Sequence, residues 1–268
     1  MASNFTYDEL PLWSAPFGLM LLDTIRLKPG MQVLDIGSGS GFPMLEVAER
    51  LGSPGKVTGI DPSEDSISMI REKIRLKVIR NAEIIQGAAE NLPFENDWFD
   101  LIISNNGLNN VEDQQRSFRE CFRVGKPGSQ MVITMNLPHT MIEFYDRFAE
   151  TLQEFELPEE ITRMHNHISA KRKPVEYMKE LIQHNGFTIR TIQIDGFKYR
   201  FTSGTAFFRH YLIRNYFLGS WKEIVPGNLV QDVFAALENK LNEEALKKGE
   251  LTMSIPYVSF DCRKNIRN

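Results

Sequence analysis

The nonapeptide VLDIGSGSG occupies positions 33–41, and its reading decides the fold. A short apolar run contains one acid, Asp35. Gly37, Gly39 and Gly41 then recur at every second position, and Phe42-Pro43 opens a segment of helical spacing. The pattern predicts a buried strand, a tight turn and a helix start. Glycine suits a backbone that takes φ > 0 or lies close to a ligand. Proline suits the first helical positions, where an N–H has no intrahelical partner. The turn is expected to present free N–H groups, with Asp35 beside them.

A phosphate cradle is the first chemistry to weigh, because anions bind at helix N-termini. Two such motifs fail here. The dinucleotide fingerprint requires glycine at position 42 when counted from Gly37, and Phe42 stands there. The Gly-Lys-Ser/Thr of the P-loop is absent. Asp35 is also poorly matched to a pyrophosphate and better matched to a cation or to hydroxyls. The segment resembles the first motif of class I S-adenosylmethionine-dependent methyltransferases, acid-x-Gly-x-Gly-x-Gly, within the small-molecule group that includes the UbiE-like enzymes. The resemblance implies that Gly37, Ser38, Gly39 and Gly41 wrap the methionine part of the cofactor. Asp35 and Phe42 join that contact set.

Three further segments follow in the family's order. KVTGID at 56–61 reads as a second strand ending in an acid. Asp61 lies about 20 residues past the turn, where βαβ nucleotide folds place a ribose-binding acid. Its carboxylate can accept two hydroxyl bonds, and Pro62-Ser63 opens the next helix with Ser63 as N-cap. AEIIQG at 82–87 is a third strand, followed by Ala88-Ala89. The family commonly has an aspartate for the adenine amino group where Ala88 stands. That contact must then come from main chain or elsewhere, with Ala88 and Ala89 lining the adenine face. WFDLIISNNG at 98–107 resembles the fourth strand and the loop under the sulfonium, so Asn105, Asn106 and Gly107 fall where cofactor and substrate meet.

Strands at 32–36, 56–60, 82–86 and 101–104 alternate with helices near 43–51, 64–77 and 113–124, which means a parallel sheet. A helix at 19–27 precedes them. Gly125-Lys126-Pro127-Gly128 reads as a turn and 130–135 as a fifth strand. Helices at 141–155 and 174–185 and strands at 187–194 and 251–262 complete the pattern. The resemblance implies a Rossmann-like α/β fold. Its doubly wound, mostly parallel seven-stranded sheet has helices on both faces and an α-helical insertion between the last two strands. Residues 1–194 and 250–268 are assigned to the cofactor-binding domain and 195–249 to the insertion.

Residues 195–249 are too long for a bare loop. They are rich in aromatic residues, from Phe197 and Tyr199 to Trp221. One reading is a subdomain core or a dimer face, which keeps a homodimer open. The other is a cap over the strands' C-terminal ends, where open α/β sheets bind ligands. On that reading Tyr199, Phe207 and Tyr211 line a pocket for an apolar or aromatic small molecule. Tyr7, Trp13 and Phe17 are read as an N-terminal lid, with packing on the sheet edge as the rival reading.

Net charge is −4, so no global basic field attracts nucleic acid. No signal peptide or membrane span is read, and a cytoplasmic location is expected. Cys121 and Cys262 are isolated, and no metal spacing occurs; His165 and His167 lack a third ligand. His139, after the fifth strand, is the best-placed histidine for a base, if the acceptor must lose a proton. An ordinary surface role competes with it. The sequence is therefore read as a methyltransferase that converts S-adenosylmethionine to S-adenosylhomocysteine on an unidentified small acceptor. The alternatives are a protein that binds either cofactor form without transfer and, disfavoured by Phe42, a nicotinamide oxidoreductase.

Overall fold

The computed structural model describes residues 12–265. Its helices are α1 (Ala15–Thr24), α2 (Met44–Leu51), α3 (Glu64–Lys77), α4 (Gln114–Val124), α5 (Ile142–Glu154), α6 (Pro158–Lys171), α7 (Val175–His184), α8 (Gly204–Arg209), α9 (Leu218–Lys222) and α10 (Val230–Lys248). The strands are β1 (Gln32–Ile36), β2 (Lys56–Asp61), β3 (Ala82–Gln86), β4 (Phe99–Asn105), β5 (Gly125–Asn136), β6 (Phe187–Phe201) and β7 (Leu251–Lys264). Two compact units form. The first holds the chain up to Asn136, then Pro174–Ile194 and the chain from Tyr257; the second holds Leu137–Lys173 and Asp195–Pro256.

The sheet order is β3-β2-β1-β4-β5-β7-β6. Strands β1 to β5 pair in parallel, and β7 runs antiparallel to β5. Strands covered on both faces read as near-continuous apolar runs, and Val33-Leu34 and Leu101-Ile102-Ile103 are fully buried. Val33, Leu101 and Val132 share a core with Leu21, Met44 and Ile70 from the flanking helices. Strand order reverses beside β1, because β2 and β4 flank it. The glycine turn after β1 therefore sits at the switch point where such sheets bind ligands.

Local signals explain the best-placed boundaries. The Ser63 hydroxyl accepts the Ser66 N–H at 3.3 Å, and the Asp113 carboxylate accepts the Arg116 N–H at 2.8 Å, so both cap helices. Elsewhere the structure corrects the expectation. Helix α1 starts at Ala15, because Pro16 is tolerated in its first turn. The Gly125–Gly128 stretch lies inside β5 as a bulge: Phe99 pairs with Gly125, but Leu101 pairs with Gln130. The start of the expected α-helical insertion is broken into α8, a π-helical stretch at Ile213–Phe217, and α9.

The second unit has its own aromatic interior. Phe144 stacks on Trp221 at 4.0 Å, and Phe148, Phe201, Phe207, Phe208 and Phe234 continue the cluster. The Trp221 indole donates to the Tyr145 hydroxyl at 2.9 Å, as a buried indole N–H requires. Helix α5, given from sequence to the sheet domain, belongs to this unit because its apolar face supplies Phe144, Tyr145 and Phe148 to that interior. This unit's second segment ends at Pro256, where the sequence reading placed the boundary at 249.

Candidate active site

The turn between β1 and α2 is anchored on β2. The N–H groups of Gly37 and Ser38 both donate to the Ile60 carbonyl, at 2.8 and 3.3 Å. Gly39 N–H donates to Asp61 Oδ2 at 2.8 Å, and Gly41 N–H to the Ser38 carbonyl at 2.8 Å. These amides are spent within the protein, which corrects the expectation of a turn offering free N–H groups. An anion cradle needs those donors unspent. The open features of this turn are of another kind.

Asp35 is the first of them. It is buried, and both carboxylate oxygens lack a hydrogen-bond partner. Burial raises its pKa to about 7; the nearby Ser38 hydroxyl opposes the shift, and the negative charge of Asp61 adds to it. A buried carboxylate without a partner is costly, and it calls for a cationic or donor group to arrive. Gly39 is the second feature. Its φ is +52°, and a Cβ there would meet no protein atom within 4 Å. The space above it is free for a ligand that comes within contact of the backbone.

Asp61 organises the turn. Its Oδ2 holds Gly39 and its Oδ1 accepts the Ser63 N–H at 3.0 Å. A carboxylate has about four lone-pair directions, so two remain for a diol. The Asp61 carbonyl also accepts the Gly87 N–H at 3.1 Å, which ties the β3 end to the β2 end. Beyond Gly87, Ala88 is exposed and Ala89 is buried. Pro62 is exposed, and its carbonyl accepts from Gln86 Nε2 at 3.2 Å.

The end of β4 locks onto the same turn. The Ser104 hydroxyl donates to the Ile36 carbonyl at 2.8 Å. Gly107 packs on Gly37 so closely that a Cβ on Gly107 would stand 2.2 Å from the Ile36 carbonyl and 2.9 Å from Gly37 Cα. Both obstacles are backbone and cannot step aside. Gly107→Ala should therefore cost about 1–3 kcal/mol, read as a melting temperature lower by roughly 3–10 °C. An unchanged melting curve would contradict this packing. Ser104 was assigned no role from sequence, and Gly107 was placed only with Asn105 and Asn106 where cofactor and substrate meet; the signal for its packing role was the Ser-Asn-Asn-Gly run at the end of β4.

The two predicted asparagines have different duties. Asn105 is satisfied at both ends: its Nδ2 donates to the Ser14 carbonyl and its Oδ1 accepts from Thr134. It fastens α1 to the sheet. Asn106 sits at φ +62° and shares its Oδ1 between Asn109 Nδ2 and the Asn136 N–H, leaving its buried Nδ2 unpaired. Phe42 turns its ring toward Gly18 and the apolar core, so packing takes up its side chain.

Phe17 is fully buried and packs on Tyr257 with centroids 4.6 Å apart, and Trp13 packs on Phe17. Tyr7 lies outside the described residues. Within the second unit, Phe207 is spent on the aromatic interior, Tyr199 is half-buried with its hydroxyl pKa pushed up to about 12 by burial, and Tyr211 is exposed. His139 is exposed at the start of that unit. Among the described residues no metal-binding cluster occurs, and both cysteines are buried thiols pushed up in pKa by burial.

A methyltransferase domain family model matches residues 27–186, and the chain belongs to that family. It is 32% identical over 188 residues to a demethylmenaquinone methyltransferase of Listeria welshimeri, covering 64% of this chain and 77% of that one. A demethylmenaquinone methyltransferase of Listeria monocytogenes is 34% identical over 154 residues, 52% of this chain and 65% of that one. Among solved structures, the YcgJ protein of Bacillus subtilis aligns at TM-score 0.63 and 18% identity, over 94% of this chain and 100% of that one. Phosphoethanolamine N-methyltransferase 2 of Haemonchus contortus, solved with S-adenosylmethionine, aligns at TM-score 0.57 and 19% identity, over 94% of this chain and 52% of that one. These last two likenesses concern the fold. The chain is an S-adenosylmethionine-dependent methyltransferase with the seven-stranded Rossmann-like sheet expected from its sequence.

Proposed function

We propose that the turn after β1 holds S-adenosylmethionine and that the methyl acceptor is a small apolar or aromatic molecule. The observation that carries the cofactor placement is the unpartnered, buried Asp35 carboxylate near the end of the strand that leads into a turn whose Gly39 face is open. The residues present fit the group. Asp35 would face the α-ammonium, the backbone at Gly39 would lie against the methionine part, and the free lone pairs of Asp61 would take the ribose diol. When bound, the cofactor supplies a methyl group on a sulfonium, an electrophile with its leaving group built in.

The chain's own tasks are to bind, orient and exclude water. Asp61 sets the height of Gly39 through one hydrogen bond and the start of α3 through another. Ser104 and Gly107 fix the end of β4 against the turn. Asn106 Nδ2 and Asn109 Oδ1, both buried and unpaired, are polar atoms at that strand end that could orient an acceptor.

The acceptor class rests on two supports. The Listeria relatives are named for a quinone precursor, and the second unit is dense in aromatic rings. The family model ends at Gly186, so residues 195–256 carry no inherited assignment. The test is transfer of radiolabelled methyl from S-adenosylmethionine to two acceptor sets, one of phenols and hydroquinones and one of polar amines. Product from the first set is expected. Transfer confined to the amines would overturn the acceptor class.

A further inference from the structure

Residues 196–222 contain nine aromatic residues, five lysines and arginines, and no aspartate or glutamate. The whole chain carries a net charge of −4, so this stretch is opposite in sign to its host. The second unit's interior accounts for only part of it. Phe207 and Trp221 are fully buried, but Tyr211 and Tyr216 are each 67% exposed. Their rings lie 6.5 Å apart on one face. The π-helical stretch at Ile213–Phe217 explains the pairing, since i→i+5 winding brings residues five apart together.

The cations of the stretch are exposed and mostly without counter-charges. Arg200 is paired with Glu250. Among the described residues Arg209 and Arg214, which flank Tyr211, form no ion pair, and both are exposed. Two exposed tyrosines in ring contact, two exposed arginines without ion pairs, and half-buried Leu212 and Leu218 thus fall together within residues 209–218.

We propose that this face docks the protein on the surface of a bilayer containing anionic phospholipid, without spanning it. Tyrosine rings favour the boundary between water and acyl chains, with the ring in the apolar side and the hydroxyl wet. Each nearby cation adds attraction to an anionic leaflet. Single-stranded nucleic acid fits less well: it tracks a continuous positive groove, whereas the chain carries a net charge of −4 and its unpaired cations here flank a single tyrosine pair. No described helix is long and apolar enough to cross a membrane, so the contact is peripheral. The sequence reading excluded a membrane span, which does not register a local surface patch.

The test is co-sedimentation of the full-length protein with vesicles, and it involves no methyl acceptor, so it stands or falls apart from the acceptor class proposed above. Binding is expected to vesicles of phosphatidylcholine mixed with phosphatidylglycerol and not to pure phosphatidylcholine. It should fall away at about 0.5 M salt, where screening is short-ranged. Arg209→Gln with Arg214→Gln should weaken partition about 30-fold, each lost charge contributing roughly five-fold, and Tyr216→Ser should weaken it further. Retained stabilisation by S-adenosylhomocysteine certifies that each variant is folded. The proposal is overturned by absence of binding, by equal binding to both vesicle types, by folded variants that bind as the wild type does, or by displacement from vesicles by polyuridylate at low concentration.

Discussion

Asp61→Ala is expected to weaken S-adenosylhomocysteine binding by about 100-fold or more and to lower the melting temperature. Two losses combine. The ligand's ribose loses a charged acceptor, and hydrogen bonds to charged groups contribute about 1.5–3 kcal/mol each. The Gly39 and Ser63 N–H groups lose the oxygens that hold them at 2.8 and 3.0 Å. The turn then no longer stays in the shape that leaves the Gly39 face open, and α3 loses the tether at its start. Calorimetry and thermal melting, run on the same sample, separate the effects. Asp61→Asn keeps the volume and one acceptor oxygen, so it should recover part of the stability and little of the affinity. A folded Asp61→Ala protein with wild-type affinity would show that this carboxylate organises nothing.

The second large effect concerns Asp35 and pH. Its folded pKa is raised from 3.8 to about 7, chiefly by burial. Between those values the folded protein holds a proton that the unfolded chain has released. Stability therefore falls as pH rises through this window, and the penalty, roughly 4 kcal/mol at most, is complete above the folded value. A cation seated on Asp35 needs the ionised form. Affinity for S-adenosylhomocysteine should accordingly climb between pH 5.5 and 7, by up to about ten-fold per unit, with proton release on binding. Asp35→Asn removes the burial penalty. It should raise the melting temperature of the ligand-free protein at pH 8, flatten its pH dependence, and cost about 10- to 100-fold in affinity. Higher stability with lower affinity marks a residue kept for its ligand. Lower stability with unchanged affinity would mark Asp35 as structural.

Much of this fold is legible locally. Strands β1 and β3 and helix α3 fall where apolar runs and caps put them, since Ser63 and the acids after it form a strong start signal. The glycines at 37, 39 and 41 all take positive φ, as their spacing implies. What could not be read depends on tertiary partners. Whether the turn's N–H groups stay free is decided by Ile60 and Asp61, one strand away. Phe42 was assigned to the cofactor because of its place in the motif, but Gly18 on α1 leaves the gap its ring fills. Helix α6 was not read; no side chain caps its start, and most of its length is exposed. The Gly125–Gly128 run has turn chemistry, and only its pairing beside β4 makes it a bulge within a strand. Asn105 and Asn106 are adjacent, yet Thr134 and Ser14 take up one while the other keeps an unpaired amide.

The measurement that tests the cofactor placement most directly is calorimetric titration of S-adenosylhomocysteine into the wild type and Gly39→Val. At φ +52° a side chain costs about 1–2 kcal/mol, a fall of no more than about 8 °C in melting temperature. With no protein atom within 4 Å of the new Cβ, the variant should fold. Its side chain would occupy the space assigned to the ligand. Binding by the wild type, and its loss in a folded Gly39→Val protein, is the predicted result. A folded Gly39→Val protein that binds S-adenosylhomocysteine as tightly as the wild type would contradict the placement of the cofactor on this turn.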